Sequence, residues 1–278
     1  MGSASKVSNQ DIPVLTSVQN RRIIDARKLR QRKYRQRQGR FLVEDLPILR
    51  MALDAGAEPI EVFYCKSQIV ESEASNLLDH FRNTDAKLVP VSPQVMQVLA
   101  ERETPQGIVA SFPLFATRLQ EVSISAYDLV VVLDRLQDPG NLGTLIRTAD
   151  AVGAAAVILI EPCTDPFDPK TVRGTMGSLF SVPLVRTSDV ADLFAWTHSS
   201  GLRSVGTDPQ QGILWGDGLW EGGVALVLGN ETRGLSNDVR PLVEAWARLP
   251  LAGKAESLNV AVAGGILMYA WLRANVGQ

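Results

Sequence analysis

The chain has 278 residues, of which 45% are hydrophobic and 21% charged, so it can bury a full core in one large domain or two modest ones. Its two cysteines, Cys65 and Cys163, lie far apart and form no CxxC or Cys/His cluster, which indicates neither a disulfide framework nor a metal site. The first ten residues are small and polar. We therefore expect no secretory signal, no membrane span and a cytoplasmic location.

The net charge of −2 hides a strongly basic segment at residues 21–40. Ten lysines and arginines stand there against one acid, Asp25, which gives the segment +9 and leaves about −11 on the rest of the chain. Positive charge concentrated in this way favours a phosphate-backbone partner, and a solvated, salt-bridged helix is the alternative. We predict nucleic-acid binding here, with these candidate contacts: Arg27, Lys28, Arg30, Lys33, Arg35 and Arg37.

The first half of the chain alternates helices with strands. Residues 11–38 are predicted to be helical in part, and Gly39 is the predicted stop because glycine takes the left-handed conformation past a helix end. Strands are predicted at 41–43, 60–65, 87–91 and 108–112, and helices at 46–55, 71–80 and 93–99. This alternation predicts a small α/β domain over residues 1–116, followed by a polar linker over 117–126.

The second half repeats the alternation with stronger signals. Residues 129–133 (LVVVL) form a continuous apolar run, typical of a strand covered on both faces. Further strands are predicted at 156–160, 182–185, 202–207 and 224–228, with one ending at 249, and helices at 142–152, 170–177, 190–199 and 238–244. The prediction is an α/β domain over residues 127–278 with five or six mostly parallel strands, and such sheets bind ligands at the carboxyl ends of their strands.

The last helix is apolar on almost every side between Val260 and Leu272. Such a helix is buried, either in the core or against another subunit. Gly264 and Gly265 indicate a close neighbour, because a glycine costs a helix about 1 kcal/mol relative to alanine. The run is too short for a membrane span. Ser257 is the predicted N-cap, since its hydroxyl can accept from the free N–H groups of the first turn.

Three loops fall at predicted strand ends, at residues 134–143, 229–236 and 249–259. In the first, Gly140 and Gly143 permit a tight backbone, and the helix after them offers free N–H groups and Arg147 to a phosphate. A dinucleotide fold would need G-x-G-x-x-G, whereas this chain has PGNLGT, and the Walker lysine motif is missing.

The second and third loops add polar side chains. Asn230 and Glu231 follow a buried strand directly, which is an odd choice for a mere turn. Ser257 and Asn259 come from the third loop, and helix capping is their alternative role. Together the loops predict nucleotide-like recognition without naming the nucleotide.

The same three stretches resemble the three motifs of the SpoU (TrmH-type) family of RNA 2'-O-ribose methyltransferases, in the SPOUT class. They read DPGNLGTLIRTADAVGA at 138–154, LVLGNETRGLS at 226–236 and LPLAGKAESLNVAVAGGI at 249–266. The order and spacing of the motifs make the match specific, and it extends from residue 129 to the C-terminus. Residues 17–115 are similar to the family's N-terminal substrate-binding domain, which resembles kink-turn-binding ribosomal proteins, although Asp45 departs from the common FLVEG pattern.

This resemblance implies a fold, a cofactor and an assembly. The C-terminal domain is expected to be a trefoil-knotted, mostly parallel sheet that holds S-adenosylmethionine. The implied cofactor-binding residues are Thr207, Gly229, Leu249 and Leu258. The family is usually dimeric through this domain, with the last helix and the motif-one helix at the interface, so either subunit could supply Arg147.

The resemblance also implies a reaction, methyl transfer to a ribose 2'-hydroxyl, which must be aligned with the donor and lose its proton. The implied catalytic residues are Asn141, Arg147, Glu231, Ser257 and Asn259, with Asn141 and Arg147 as the first pair. Large-subunit ribosomal RNA is the first candidate substrate and transfer RNA the second. A non-catalytic RNA-binding scaffold and a base methyltransferase are the alternative functions; the intact motifs disfavour both.

Overall fold

A computed structural model describes residues 13–70, 72–208, 210–215 and 218–275, and the chain divides after Leu114 into two compact units. The first ten residues, where no secretory signal is expected, lie outside the described residues, as does the predicted start of a helix at residue 71. Within the described ranges, every helix falls short of the length or hydrophobicity that a bilayer span requires.

The first unit combines helices with a mixed four-stranded sheet. Its helices are α1 Arg21–Lys28, α2 Arg32–Gln38, α3 Leu46–Asp54, α4 Ser72–Phe81 and α5 Pro93–Leu99. Its strands are β1 Arg40–Val43, β2 Glu61–Tyr64, β3 Lys87–Pro90 and β4 Ile108–Pro113, in the order β1-β4-β2-β3. β2 and β3 are parallel and the other two pairings are antiparallel. The predicted α/β character of this half is therefore confirmed.

The basic segment forms two helices, α1 and α2, with a break at residues 29–31. Arg35 is only 1% exposed, and its Nη1 donates to the carbonyl oxygens of Leu29 at 2.9 Å and Arg30 at 2.8 Å. This side chain satisfies carbonyl groups that the end of α1 leaves without helical partners. Gly39 follows α2 with a φ of +65°, the left-handed stop predicted from the sequence.

The second unit is built on a seven-stranded parallel sheet. Its strands are β5 Leu129–Asp134, β6 Ala156–Ile160, β7 Leu184–Thr187, β8 Arg203–Thr207, β9 Ile213–Leu214, β10 Val224–Leu228 and β11 Ala245–Arg248. Its helices are α6 Pro139–Ala151, α7 Pro169–Thr175, α8 Val190–Ser199 and α9 Val260–Asn275. The strand order is β7-β6-β5-β10-β8-β11-β9, and every pairing is parallel. The mostly parallel sheet is confirmed; β9 extends it and is too short for a periodic pattern.

The predicted helix at residues 238–244 is wrong. The structure has a single 3-10 turn there, Arg240–Leu242, before the chain continues as a strand. Pro241 lies inside the predicted helix, where it removes a backbone N–H donor, and Val243 is already extended.

Residues 117–126, expected to be a polar linker, instead belong to the second unit. Leu119 and Val122 are buried in its core. The backbone N–H of Thr117 donates to the carbonyl of Leu184 at 2.8 Å, beside the edge strand β7. The apolar residues of this mainly polar stretch therefore anchor it on the sheet.

The strand order of the sheet has a topological switch point at β5. β6 and β7 extend it on one side, and β10, β8, β11 and β9 lie on the other. Because all these strands are parallel, the carboxyl ends of β5, β10, β8 and β11 meet along one edge, next to this switch point. The three loops singled out in the sequence follow β5, β10 and β11, so the topology brings them together.

The apolar helix α9 has one face in the core and one outside it. Val262 and Tyr269 are 51% and 53% exposed. The buried residues are Ala261, Gly264, Leu267, Met268 and Trp271. A Cβ atom on Gly264 would lie 2.6 Å from Cδ2 of Leu145 on α6 and 2.7 Å from Cδ1 of Leu228 on β10. The predicted close neighbour is thus confirmed at Gly264.

Gly264→Ala is expected to lower the free energy of unfolding by about 1–3 kcal/mol through overpacking, because the leucines it would meet are fully buried. Gly265→Ala is the matched control, since its Cβ would first meet Thr148 Cγ2 at 3.9 Å. Alanine is the better helix former, so this control should be neutral or stabilising by up to about 1 kcal/mol. Urea denaturation measures both variants, and equal stabilities would contradict close packing at Gly264.

Candidate functional site

The ends of three neighbouring strands border a cleft of about 260 Å³. Thr207 ends β8, Gly229 follows β10 and Leu249 follows β11, and all three line the cleft. Leu258 lines it from the loop before α9, together with the predicted catalytic residues Glu231 and Ser257. The structure therefore gathers every predicted cofactor-binding residue around one cavity.

The lining of the cleft combines an apolar wall with exposed backbone. Leu249, Leu251 and Leu258 contribute apolar surface, and parallel strand ends present N–H and C=O groups that are not all used within the sheet. At Gly229 two backbone segments touch, because a Cβ there would lie 2.5 Å from the backbone nitrogen of Leu235. In the part of the chain that the structure describes, no cluster of His, Cys, Asp or Glu side chains is placed to hold a metal ion.

A chain of side-chain hydrogen bonds joins the three loops beside this cleft. Oε1 of Glu231 accepts from Asn141 Nδ2 at 3.1 Å and from the backbone N–H of Asp138 at 3.2 Å. Its Oε2 accepts from the backbone N–H of Gln137 at 3.3 Å. Oδ1 of Asn141 in turn accepts from Asn259 Nδ2 at 2.9 Å. One predicted catalytic residue from each motif therefore belongs to a single network.

Asn259, not Ser257, is the cap of α9. Its Oδ1 accepts from the backbone N–H groups of Ala261 at 2.9 Å and Val262 at 3.3 Å. The predicted cap at Ser257 is wrong, because the helix begins at Val260 and a cap must immediately precede the first turn. Ser257 is exposed, and its hydroxyl has no hydrogen-bond partner among the described residues, which leaves it available to a ligand in the cleft.

Asp138 caps α6 at the other side of the network. Its Oδ1 accepts from the backbone N–H of Asn141 at 2.8 Å, and Oδ2 pairs with Lys170 Nζ at 3.3 Å. The hydrogen bond from Asn141 and, more weakly, Lys170 hold the pKa of Asp138 below its ordinary value. Sequence reasoning did not select this residue, although an aspartate before Pro-Gly at a helix start is a recognisable cap signal.

Arg147 lies apart from the network of its own chain. It is exposed on α6 and has no hydrogen bond or ion pair among the residues that the structure describes. It follows Asn141 by six residues, which is about 9 Å along the helix axis and about 120° around it. The structure thus does not place the predicted Asn141 and Arg147 pair in one contact network.

Two of the six predicted RNA contacts are used inside the first unit. Arg30 is half-buried, and its Nη2 donates to the carbonyl of Ala100 at 2.8 Å, at the end of α5. Arg35, on α2, is buried against the end of α1, contrary to the expectation that it faces RNA. A buried guanidinium with carbonyl acceptors cannot reach a phosphate, so the structure assigns Arg35 to the scaffold.

Three of the four remaining predicted contacts are exposed at the surface. Arg27, Lys33 and Arg37 are exposed, and none of them has an ion pair or hydrogen bond with another described residue. Lys28 is half-buried, with its Nζ 3.6 Å from Asp25 and 5.5 Å from the ring centroid of Tyr34. The structure therefore leaves three unpaired cations for an anionic partner.

Comparison with known proteins assigns both halves of the chain. The profile of the SpoU rRNA Methylase family matches residues 128–269, which include the cleft and the three loops. The profile of the MRM3-like substrate binding domain matches residues 20–110, which include the basic segment.

Full-length relatives agree with this assignment. The chain is 33% identical to the 23S rRNA (guanosine(2553)-2'-O)-methyltransferase RlmP of Bacillus subtilis, over 92% of this chain and 97% of that protein. It is 32% identical to the 23S rRNA (uridine(2479)-2'-O)-methyltransferase of Streptomyces viridochromogenes, over 89% and 88%. The crystal structure of an AdoMet-bound rRNA methyltransferase from Sinorhizobium meliloti superposes with a TM-score of 0.86 at 33% identity, covering 94% of this chain and 97% of that one. With its motif loops gathered around one cleft and relatives matching along nearly its whole length, the chain belongs to the SpoU rRNA methylase family.

Proposed function

We propose that this protein transfers a methyl group from S-adenosylmethionine to a ribose 2'-hydroxyl of large-subunit ribosomal RNA. The observation that carries the proposal is the hydrogen-bonded chain of Glu231, Asn141 and Asn259 at the border of the cleft. The 23S rRNA 2'-O-methyltransferase activity named for the relatives from Bacillus subtilis and Streptomyces viridochromogenes supports the substrate class.

The cleft fits S-adenosylmethionine by the chemistry of its lining. Leu249 and Leu258 offer an apolar wall suited to the faces of an adenosyl group. Backbone groups at Thr207 and Gly229 offer donors and acceptors to its polar edges. The bound cofactor supplies an electrophilic methyl group on a sulfonium centre. The AdoMet-bound relative from Sinorhizobium meliloti supports this assignment.

The residues around the cleft position the hydroxyl that accepts the methyl group. Asn141 is oriented from both ends of its amide, since Nδ2 donates to Glu231 and Oδ1 accepts from Asn259. Such preorganisation removes the need to order the site during the reaction. Ser257 places a hydroxyl at the cleft. We assign Arg147 to the target phosphate and hydroxyl as a cation, because a guanidinium stays protonated in proteins. As the bond from the 2'-oxygen to the methyl carbon forms and the bond from that carbon to sulfur breaks, the hydroxyl proton is released to water.

We also propose a homodimer through the C-terminal domain, with the trefoil knot that the motif resemblance implies. The exposed apolar side chains of Val262 and Tyr269, seven residues apart on α9, support the dimer, because another subunit can cover them both. α9 packs on α6 at Gly264 and Leu145, and α6 also carries the exposed Arg147. In a dimer through α6 and α9, Arg147 can contact the active site of the other subunit.

The test is transfer of labelled methyl from S-adenosylmethionine to ribosomal RNA, ribosomal particles and transfer RNA, followed by mapping of the alkali-resistant linkage. We expect a 2'-O-methyl nucleotide in large-subunit RNA, and no incorporation by Asn141→Ala. Incorporation into transfer RNA would show that transfer RNA, not ribosomal RNA, is the substrate. A methylated base would show that the protein does not methylate the ribose. Donor binding without transfer to any of these substrates would favour a non-catalytic RNA-binding protein.

The exposed cations of the basic segment are expected to set the salt dependence of RNA binding. In the triple variant Arg27→Ala, Lys33→Ala and Arg37→Ala, fewer counterions are released, so the slope of log affinity against log salt should fall by about 2 to 3. Fluorescence anisotropy with a large-subunit RNA fragment at several salt concentrations measures this slope.

The matched control removes three cations elsewhere on the same unit, in the variant Lys66→Ala, Arg82→Ala and Lys87→Ala. These side chains are exposed and lie outside the basic segment. The control should keep the wild-type slope. An unchanged slope in the first variant would refute RNA binding by Arg27, Lys33 and Arg37.

A further inference from the structure

A second set of contacts joins the loop after β5 to the loop after β10. Asp134 ends β5, is fully buried and accepts from both the backbone N–H and the hydroxyl of Ser236, each at 2.7 Å. The next residue, Arg135, forms a bidentate ion pair with Asp238, at 2.8 and 2.7 Å. We call Asp134, Arg135, Ser236 and Asp238 the loop clamp.

Arg135 is held in an unusual backbone conformation. Its φ is +56°, in the left-handed region that residues other than glycine adopt at a cost in free energy. Its carbonyl accepts from Nδ2 of Asn230 at 2.9 Å, so the residue contacts the loop after β10 with both backbone and side chain. The hydrogen bond from Arg135 lowers the pKa of Asp238, and the same contact raises the pKa of Arg135, so both stay charged.

The two clamped loops are the ones that carry the catalytic network. Glu231 follows Asn230 directly, and it accepts hydrogen bonds from Gln137, Asp138 and Asn141 on the other loop. Movement of either loop by about an ångström would break these bonds, which lie at 3.1 to 3.3 Å. No residue of the loop clamp is among the described residues that line the cleft.

The ion pair of Arg135 and Asp238 is partly exposed to solvent, which favours a role in positioning the loops over a role in global stability. The side chains of Arg135 and Asp238 are 29% and 51% exposed. An ion pair with this much solvent contact contributes little to global stability. Its bidentate geometry, however, restricts the relative orientation of the two loops.

We propose that the loop clamp is a positioning device for methyl transfer. The ion pair of Arg135 and Asp238 sets Glu231 against Asn141, and so aligns the ribose hydroxyl, without touching donor or RNA. The inference rests on the proposed function. Arg135 and Asp238 are therefore positioning residues that act through Asn141.

The test uses Arg135→Met and Asp238→Asn, which remove one charge each at nearly constant size. We expect kcat to fall by about 10-fold to 50-fold because a small misplacement of catalytic groups is costly. The Kd for S-adenosylmethionine should stay near wild type in both variants. The urea midpoint of unfolding should stay near wild type in Asp238→Asn and fall in Arg135→Met, because Arg135 also donates to the buried Asp134 at 3.2 Å. Because either change breaks the ion pair with Asp238, the double variant should lose no more activity than Arg135→Met alone. Arg135→Lys, which keeps the charge without the bidentate fork, should lie between wild type and Arg135→Met.

A fall in donor affinity parallel to kcat, or independent losses that multiply in the double variant, would overturn the proposal. Glu121→Gln is the matched control, because it breaks another exposed ion pair, with Arg118, and should leave kcat unchanged.

Hydrogen exchange separates this inference from the proposed function. Failure of the wild-type protein to transfer methyl would count against the proposed function alone. In that case Asp238→Asn should still show faster exchange in peptides covering 136–141 and 230–236, with unchanged exchange in the buried strand β5. Wild-type exchange in both loops would overturn the clamp.

Discussion

Arg147→Ala is expected to lower kcat for methyl transfer by about 100-fold to 1000-fold, the range seen when one charge-stabilising donor is removed from an active site. The Kd for S-adenosylmethionine should stay within about twofold, because Arg147 is exposed and is not among the described residues that line the cleft. Steady-state transfer at saturating donor and RNA measures kcat, and calorimetry measures donor binding. Arg118→Ala, another exposed arginine of the same unit, is the control that should change neither.

Mixed dimers test which subunit supplies the arginine. One protomer carries Arg147→Ala and the other Asn141→Ala, with different affinity tags to isolate the heterodimer. If Arg147 acts across the interface, one site combines intact Asn141 with intact Arg147, and about half of the wild-type activity returns. An inactive heterodimer would place Arg147 in the site of its own chain. Loss of donor binding together with unfolding in Arg147→Ala would contradict the assignment of Arg147 to the transfer step.

Gly229→Ala is expected to raise the Kd for S-adenosylmethionine by about 100-fold, or about 3 kcal/mol. The added Cβ would lie 2.5 Å from the backbone nitrogen of Leu235. Backbone cannot rotate aside as a side-chain tip does, so the loop after β10 must move and carry Glu231 with it. Overpacking should also lower the free energy of unfolding by about 1–3 kcal/mol.

The matched control for this variant is Gly253→Ala. Gly253 lies in the third loop, and apart from its chain neighbours no described residue has an atom within 4 Å of the place where its Cβ would stand. Calorimetry should find wild-type donor affinity for this control. Wild-type affinity in Gly229→Ala would show that the β10 end is not part of the donor site.

The elements that could be predicted are those whose pattern is local. A continuous apolar run predicts a strand buried on both faces, and β5 is such a strand. Gly39 ends α2 because only a left-handed residue fits there, a property of the residue itself. Gly229 and Leu249 lie in two of the motifs, and the family resemblance adds Thr207; all three line one cleft because parallel strands bring their positions together.

Two predictions were wrong at the boundaries of helices. Ser257 and Asn259 are both good capping residues, and the start of α9 decides that Asn259 takes that role. The helix predicted at 238–244 is reduced to one turn because Pro241 removes a helical donor and Val243 is already extended.

The sequence by itself determined the family, the alternation of helices and strands, and the three loops that form the site, because each depends on residue types at short spacing. Only the tertiary structure decided which arginines are scaffold and which are surface. Arg30 and Arg37 look alike in the sequence, but the carbonyl groups that Arg30 binds come from the end of α5, 68 to 70 residues away. The loop clamp likewise joins Arg135 to a partner 103 residues further on. A charged side chain takes its role from the acceptors that folding brings within reach, and that information is not local.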